Sequence, residues 1–179
     1  MLTFLIGGAR SGKSALALQM ASAGRPPVTF IATAPARDAE MKARISAHRS
    51  ERPSSWSTIE APVHLGQALR EVADDATVVI DCLTLWVANL VEAGYDDGAV
   101  TGAADDLAPS ASARSGLVVV VSNEVGSGIV PMAPLSRRYR DLLGRVNTAF
   151  SQHAGQAFLV MAGRVVPLLP APVVPASSR

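Results

Sequence analysis

The stretch GGARSGKS, Gly7 to Ser14, limits what this chain can fold into more tightly than any other. It satisfies the pattern GxxxxGK[ST], follows the apolar run Thr3 to Ile6 directly, and opens a helical pattern that begins at Lys13. That context is what the pattern requires, because a strand must deliver the loop and a helix must carry the chain away. The glycines let backbone N–H groups curl around phosphate oxygens, and the helix N-terminus adds its partial positive charge. Lys13 is placed to reach terminal phosphates, and the Ser14 hydroxyl to ligate Mg²⁺. Gly7, Gly8, Ala9, Arg10, Ser11, Gly12, Lys13 and Ser14 are therefore the expected nucleotide-binding residues. The bland alternative is a strand-to-helix turn that is merely tight.

The rest of the chain supplies the layers such a loop needs. Thr3–Ile6, Val28–Ile31, Thr77–Ile80, Leu117–Val121 and Phe158–Met161 read as strands apolar on both faces, as a parallel sheet covered by helices requires. Helical patterns fall between them, at Lys13–Ala23, Ala36–Ser50, Val63–Ala73, Leu83–Ala93 and Leu135–His153. This order predicts an α/β fold, a P-loop NTPase in one domain over residues 1–167. Gly94–Gly116, rich in Gly, Ala, Ser and Asp and broken by Pro109, is expected to be a mobile loop with a short helical piece. Residues 168–179, with their prolines and no periodicity, are expected to form a surface tail.

Composition narrows the partners. Lys and Arg number 16 against 15 Asp and Glu, so no broad positive field draws nucleic acid or an anionic membrane surface, and phosphate binding must be local. With aromatic residues at 4%, nucleic-acid binding is not expected. No run approaches the roughly 18 apolar residues of a membrane span, and MLTFLI stops too early to be a signal peptide. The single cysteine, Cys82, offers no disulfide and no metal-ligand set, and suits a reducing, cytoplasmic location. It is expected to be a small buried side chain without chemistry.

Two further positions carry candidate chemistry. Asp81 ends the strand in TVVIDCLTL, where a carboxylate beside a P-loop holds Mg²⁺ directly or through water; the alternative is a cap on the helix starting at Leu83. In ARISAHRSERP, His48 stands among Arg44, Arg49 and Arg52. On a helix, Met41, Ile45 and His48 would follow i, i+4, i+7 spacing, which places His48 where an apolar stripe meets a cationic edge. Such a histidine is ordinarily structural. Neighbouring arginines, however, hold phosphate and favour the neutral, nucleophilic imidazole by like-charge repulsion, which suits attack on phosphorus.

Taken in order, GGARSGKS, FIAT, RISAHRSERPSSWSTIEAP, VIDCLTLWVANL, VSNEVGSGIVP and RRYRDLLGRVN resemble the bifunctional adenosylcobinamide kinase / adenosylcobinamide-phosphate guanylyltransferase family of cobalamin biosynthesis. The resemblance runs from Leu2 to about Pro167, and the runs RI..H...RP..W.T.E.P and NEVG.GIVP make it specific. It implies a RecA-like P-loop fold and two reactions. Adenosylcobinamide is phosphorylated by ATP or GTP, and GMP is then transferred from GTP to adenosylcobinamide phosphate to give adenosylcobinamide-GDP. It also implies that the histidine of the RI..H...RP run, His48, carries GMP covalently; the preceding residue is Ala47, so no second histidine competes.

On this reading Lys13 serves the phosphates in both reactions, and Arg49 and Arg52 grip the nucleotide. Glu60 contacts guanine or ribose, and Thr33 points a hydroxyl at the strand ends where α/β ligands bind. For the two arginines and Glu60 a salt-bridge role is the alternative, and for Thr33 a strand-end turn. Asn123 and Glu124 would orient the corrinoid side chain or the metal, or else build the loop that Gly126 and Gly128 tighten. His64 and His153 read as ordinary helix-surface residues. A homo-oligomer is expected. The Gly94–Gly116 segment looks shorter and less helical than relatives would have. Two other functions stay open: a simple P-loop small-molecule kinase with a structural His48, and a non-catalytic nucleotide-dependent binding protein.

Overall fold

A computed structural model describes residues 1–36 and 52–171, with Ala39, Ala43, Ser46, Arg49 and Ser50 between them, and those five carry helical backbone. Seven strands form one sheet: β1 (Leu2–Gly7), β2 (Val28–Ala32), β3 (Ser57–Glu60), β4 (Thr77–Asp81), β5 (Val118–Asn123), β6 (Gln156–Met161) and β7 (Arg164–Pro167). Their order is β3-β2-β4-β5-β1-β6-β7, parallel throughout except for the β6–β7 hairpin. Five helices pack on it: α1 (Lys13–Ser22), α2 (Leu65–Arg70), α3 (Leu83–Glu92), α4 (Asp97–Ala113) and α5 (Pro134–His153).

The central strands are apolar on both faces because both faces are covered. Leu5, Phe30, Val79, Val119 and Val121 face α1 through Ala17 and Ala21, whose small side chains let that helix approach closely. Phe4, Ile6, Ile31, Val78, Ile80, Val118 and Val120 face the opposite layer, where they meet Leu65, Trp86, Leu107, Leu142, Val146 and Phe150. Alternate residues of one strand thus serve two cores.

Three elements depart from the sequence expectation. Asp97–Ala113 is a helix, not a mobile loop. Asp96 caps it by accepting from Ala99 N–H at 2.7 Å, and Val100, Ala104, Leu107, Ala108 and Ala111 form a buried stripe at helical spacing. Burial of that stripe outweighs the cost of Pro109 and the glycines. The strands β3 and β7 were not expected either. One lies at the outer end of the sheet with only partial burial, and the other is exposed along its whole length. Neither shows the continuous apolar run of a central strand.

Candidate active site

Register places the functional candidates on one edge. Gly7 at the end of β1 pairs with Asn123 at the end of β5, Asp81 at the end of β4 pairs with Val121 and Ala32, and Ala32 pairs with Glu60. The strands are parallel, so all their carboxyl ends open on this side. The chain leaves β1 for α1 on one face and β4 for α3 on the other, with β5 between them. That reversal is where α/β sheets hold ligands.

The loop between β1 and α1 is shaped by its backbone. Arg10 and Gly12 take positive φ, 54° and 101°, and Gly12 is the residue that precedes the first turn of α1. Gly7 has no room for a side chain, because a Cβ there would lie 2.1 Å from the Val160 carbonyl oxygen. Lys13 is buried, with 6% of its surface exposed, and its Nζ donates to Gly8 O at 2.7 Å and to Ser11 Oγ at 3.3 Å. Burial lowers the Lys13 pKa, while the charges of Asp81 and Cys82 raise it. The ammonium therefore lies within the field of Asp81. Ser14 is half-buried in the first turn of α1.

Asp81 is not the N-cap of α3; Cys82 holds that position, and no side chain caps the helix. Cys82 is half-buried rather than fully buried, and burial, then the Asp81 charge, pushes its thiol up to about 11. Ser14 and Asp81 together offer one hydroxyl and one carboxylate. That is a suitable protein contribution for Mg²⁺, which keeps waters and phosphate oxygens for its other positions. No group of three or more His, Cys, Asp and Glu side chains suited to a metal occurs among the described residues.

Other candidates are held by the scaffold. Thr33 is fully buried, and its hydroxyl donates to Cys82 O at 2.7 Å while accepting from Cys82 N–H at 2.8 Å. It clamps the end of β2 to the β4–α3 junction. Asn89 extends the clamp, with Nδ2 donating to Thr33 O at 2.8 Å and Pro62 O at 2.9 Å. Arg52 lies with its guanidinium 3.5 Å from the Phe30 ring centroid and donates to Thr58 Oγ1 at 3.2 Å, so it braces β2 and β3. Arg49 and Glu60 are exposed. His48 and Arg44 lie outside the described residues, as do Met41, Ile45 and Ala47.

Glu124 folds onto its own loop: Oε1 accepts from the N–H groups of Gly126 and Ser127, the latter at 3.1 Å. Its own N–H donates to Gly7 O at 3.1 Å, which fastens that loop to the P-loop strand. Two supports escaped the sequence reading. The β6–β7 turn, Ala162–Gly163, has φ of 50° and 72°, and Gly163 N–H donates to Ser11 O at 2.9 Å, so the hairpin backs the P-loop. Behind β5, Ser122 Oγ donates to Asn147 Oδ1 at 2.6 Å and Asn147 Nδ2 donates to Asn123 O at 3.1 Å. Gly163 was the available signal for the turn. Nothing local marked Asn147.

Residues 3–168 match the family described as cobinamide kinase / cobinamide phosphate guanyltransferase. The chain is 40% identical over 169 residues to the bifunctional adenosylcobalamin biosynthesis protein CobP of Pseudomonas aeruginosa, covering 94% of this chain and 97% of that one. It is 38% identical to the corresponding protein CobU of Salmonella typhimurium, with 91% and 97% covered, and 35% identical to CobU of Escherichia coli over the same shares. Among solved structures, an ATPase of a bacterial type III secretion system superposes with a TM-score of 0.55 at 11% identity, over 88% of this chain and 50% of that one, which shows a shared fold. A glycine-rich loop at the carboxyl edge of a mostly parallel sheet, a family match over residues 3–168, and relatives matched along nearly their whole length place this chain in the cobinamide kinase / cobinamide phosphate guanyltransferase family.

Proposed function

We propose that this protein phosphorylates adenosylcobinamide with ATP or GTP and then transfers GMP from GTP to the phosphate it has made, through a guanylyl group on His48. The observation that carries the reading is the buried Lys13 at the start of α1, bonded to the Gly8 carbonyl within the P-loop, in a chain whose relatives are named as bifunctional. In the first reaction the corrinoid's hydroxyl oxygen attacks the γ-phosphorus, the nucleoside diphosphate leaves, and the hydroxyl proton is released to solvent. Lys13 and the loop N–H groups hold the phosphates in line and offset the charge spread over their oxygens. Ser14 and Asp81 would hold Mg²⁺, which when bound neutralises further phosphate charge.

In the second reaction an imidazole nitrogen of His48 forms a bond to the α-phosphorus of GTP. The bond to the bridging oxygen breaks, and pyrophosphate leaves with the electron pair into the P-loop. A phosphate oxygen of adenosylcobinamide phosphate then attacks the same phosphorus, and the nitrogen–phosphorus bond breaks to restore the imidazole. Arg49 lies beside His48 in sequence and is a candidate to offset charge on the transferred group, with Glu60 on the nucleoside side. Arg52 supports this segment from Phe30 and Thr58.

Protein mixed with Mg²⁺ and GTP labelled at the α-phosphate should retain label after denaturation, whereas γ-label should be lost with pyrophosphate. The adduct should be lost in acid and persist in alkali, as a phosphoramidate does, and His48→Ala should abolish it while leaving much of the kinase rate. Retained α-label in His48→Ala would reject the histidine intermediate. A simple kinase would form no adduct at all.

A further inference from the structure

The loop that follows β5, Glu124 to Ala133, is fastened at both ends and apolar in its middle, and it runs into the first turn of α5 at Leu135. At its start, Glu124 N–H donates to Gly7 O and the Glu124 carboxylate accepts from Gly126 and Ser127. At its end, Arg137 Nη1 donates to Pro131 O at 3.0 Å and Met132 O at 2.6 Å, and Arg137 N–H donates to Ala133 O at 3.1 Å. Between these ties Ile129 is 97% exposed and Met132 95%, with Val130 and Leu135 more than half exposed. Scattered apolar side chains on a surface are ordinary, but three in a braced loop and a fourth in the helical turn it enters, all within seven residues, form a patch.

We infer that Ile129, Val130 and Met132 form the docking surface for the corrinoid ring of the acceptor, an apolar-faced macrocycle rimmed with amides. The inference rests on the proposed kinase and transferase reactions. Its first argument is continuity: β5 ends in register with the P-loop strand, Gly7 opposite Asn123, so the loop leaves from the site where the terminal phosphate is held. An acceptor whose hydroxyl sits on a side arm must rest its bulky ring next to that point. The chemistry agrees, since VGSGIVPMAPL contains no charged residue and can pack against the apolar face of a ring. Gly126 of the same loop also borders an open groove of about 760 Å³ along α5, where Arg145, Thr148 and Gln152 can donate to amide carbonyls and Asp105 and the Arg140–Asp141 pair supply acceptors for amide N–H groups. A methionine at the centre suits a ring of irregular outline, since its flexible thioether adapts to shape.

The test is steady-state kinetics of cobinamide phosphorylation by the double variant Ile129→Ser, Met132→Ser, with equilibrium dialysis of cobinamide against both proteins. Both side chains are almost wholly exposed, so folding should be preserved. The expected result is a cobinamide KM and Kd raised about tenfold or more, with the nucleotide KM and the sedimentation coefficient unchanged. The apolar control Ile129→Met, Met132→Leu should keep the wild-type KM. An unchanged cobinamide KM in the serine variant overturns the inference, as does a changed sedimentation coefficient, which would make the patch a contact between copies of the chain. A wild-type protein that does not phosphorylate cobinamide would instead defeat the proposed function.

Discussion

In the proposed reactions Lys13 holds the phosphates and Asp81 the metal, and their charges are coupled. Burial works against the Lys13 ammonium, and the charge of Asp81 works in its favour. Asp81→Asn keeps the shape and removes the charge. The Mg²⁺ concentration for half-maximal kinase rate should then rise roughly tenfold or more, as when a metal site loses a supporting carboxylate. The Lys13 pKa should also fall further, so phosphate affinity should begin to fail at lower pH on the alkaline side. A metal titration and a pH profile of the variant check both, and an unchanged metal requirement would return Asp81 to a structural role. At this scale the sequence was generous. The P-loop and Asp81 announce themselves by residue type and position after a strand, whereas the scaffold duties of Thr33 and Arg52 depend on partners 49 and 6 residues away, Cys82 and Thr58.

At the scale of elements, the P-loop is supported by more than its own backbone. The β6–β7 turn bonds to Ser11, and β6 passes so close to Gly7 that a Cβ there would collide with the Val160 carbonyl. Gly8 offers a contrast, since nothing lies within 4 Å of the corresponding position. Gly7→Ala should therefore lower the free energy of unfolding by about 1–3 kcal/mol through overpacking, while Gly8→Ala should leave it nearly unchanged. Denaturant unfolding of the two variants measures the difference, and equal stabilities would contradict the account of the β1–β6 contact. The same scale shows where sequence reasoning ran short. Central strands are legible because burial on both faces forces continuous apolar runs, but STIE and RVVP lie at the two ends of the sheet and are under no such demand. Asp97–Ala113 was misread because its glycines, serines and Pro109 were weighed above the i, i+4 spacing of Val100, Ala104, Leu107, Ala108 and Ala111.

Across the whole molecule, the sheet order turns separate motifs into one site. Gly7, Ala32, Glu60, Asp81 and Asn123 are far apart in sequence, yet parallel pairing brings them to a single edge. This assembly was foreseeable in outline, because strands alternating with helices predict parallel pairing and hence a common carboxyl edge. The strand order itself, with β4 and β5 between β2 and β1, was not legible, since no local feature of a buried apolar strand names its neighbour. No helix among the described residues is long and apolar enough to cross a membrane. The proposed function requires that one P-loop serve both reactions. The most direct test is Lys13→Ala, with cobinamide phosphorylation and GMP transfer to cobinamide phosphate measured on the same preparation. Both rates should fall by about 10²–10³, corresponding to roughly 2.7–4 kcal/mol of transition-state stabilisation. Survival of either activity at the wild-type rate would contradict the claim.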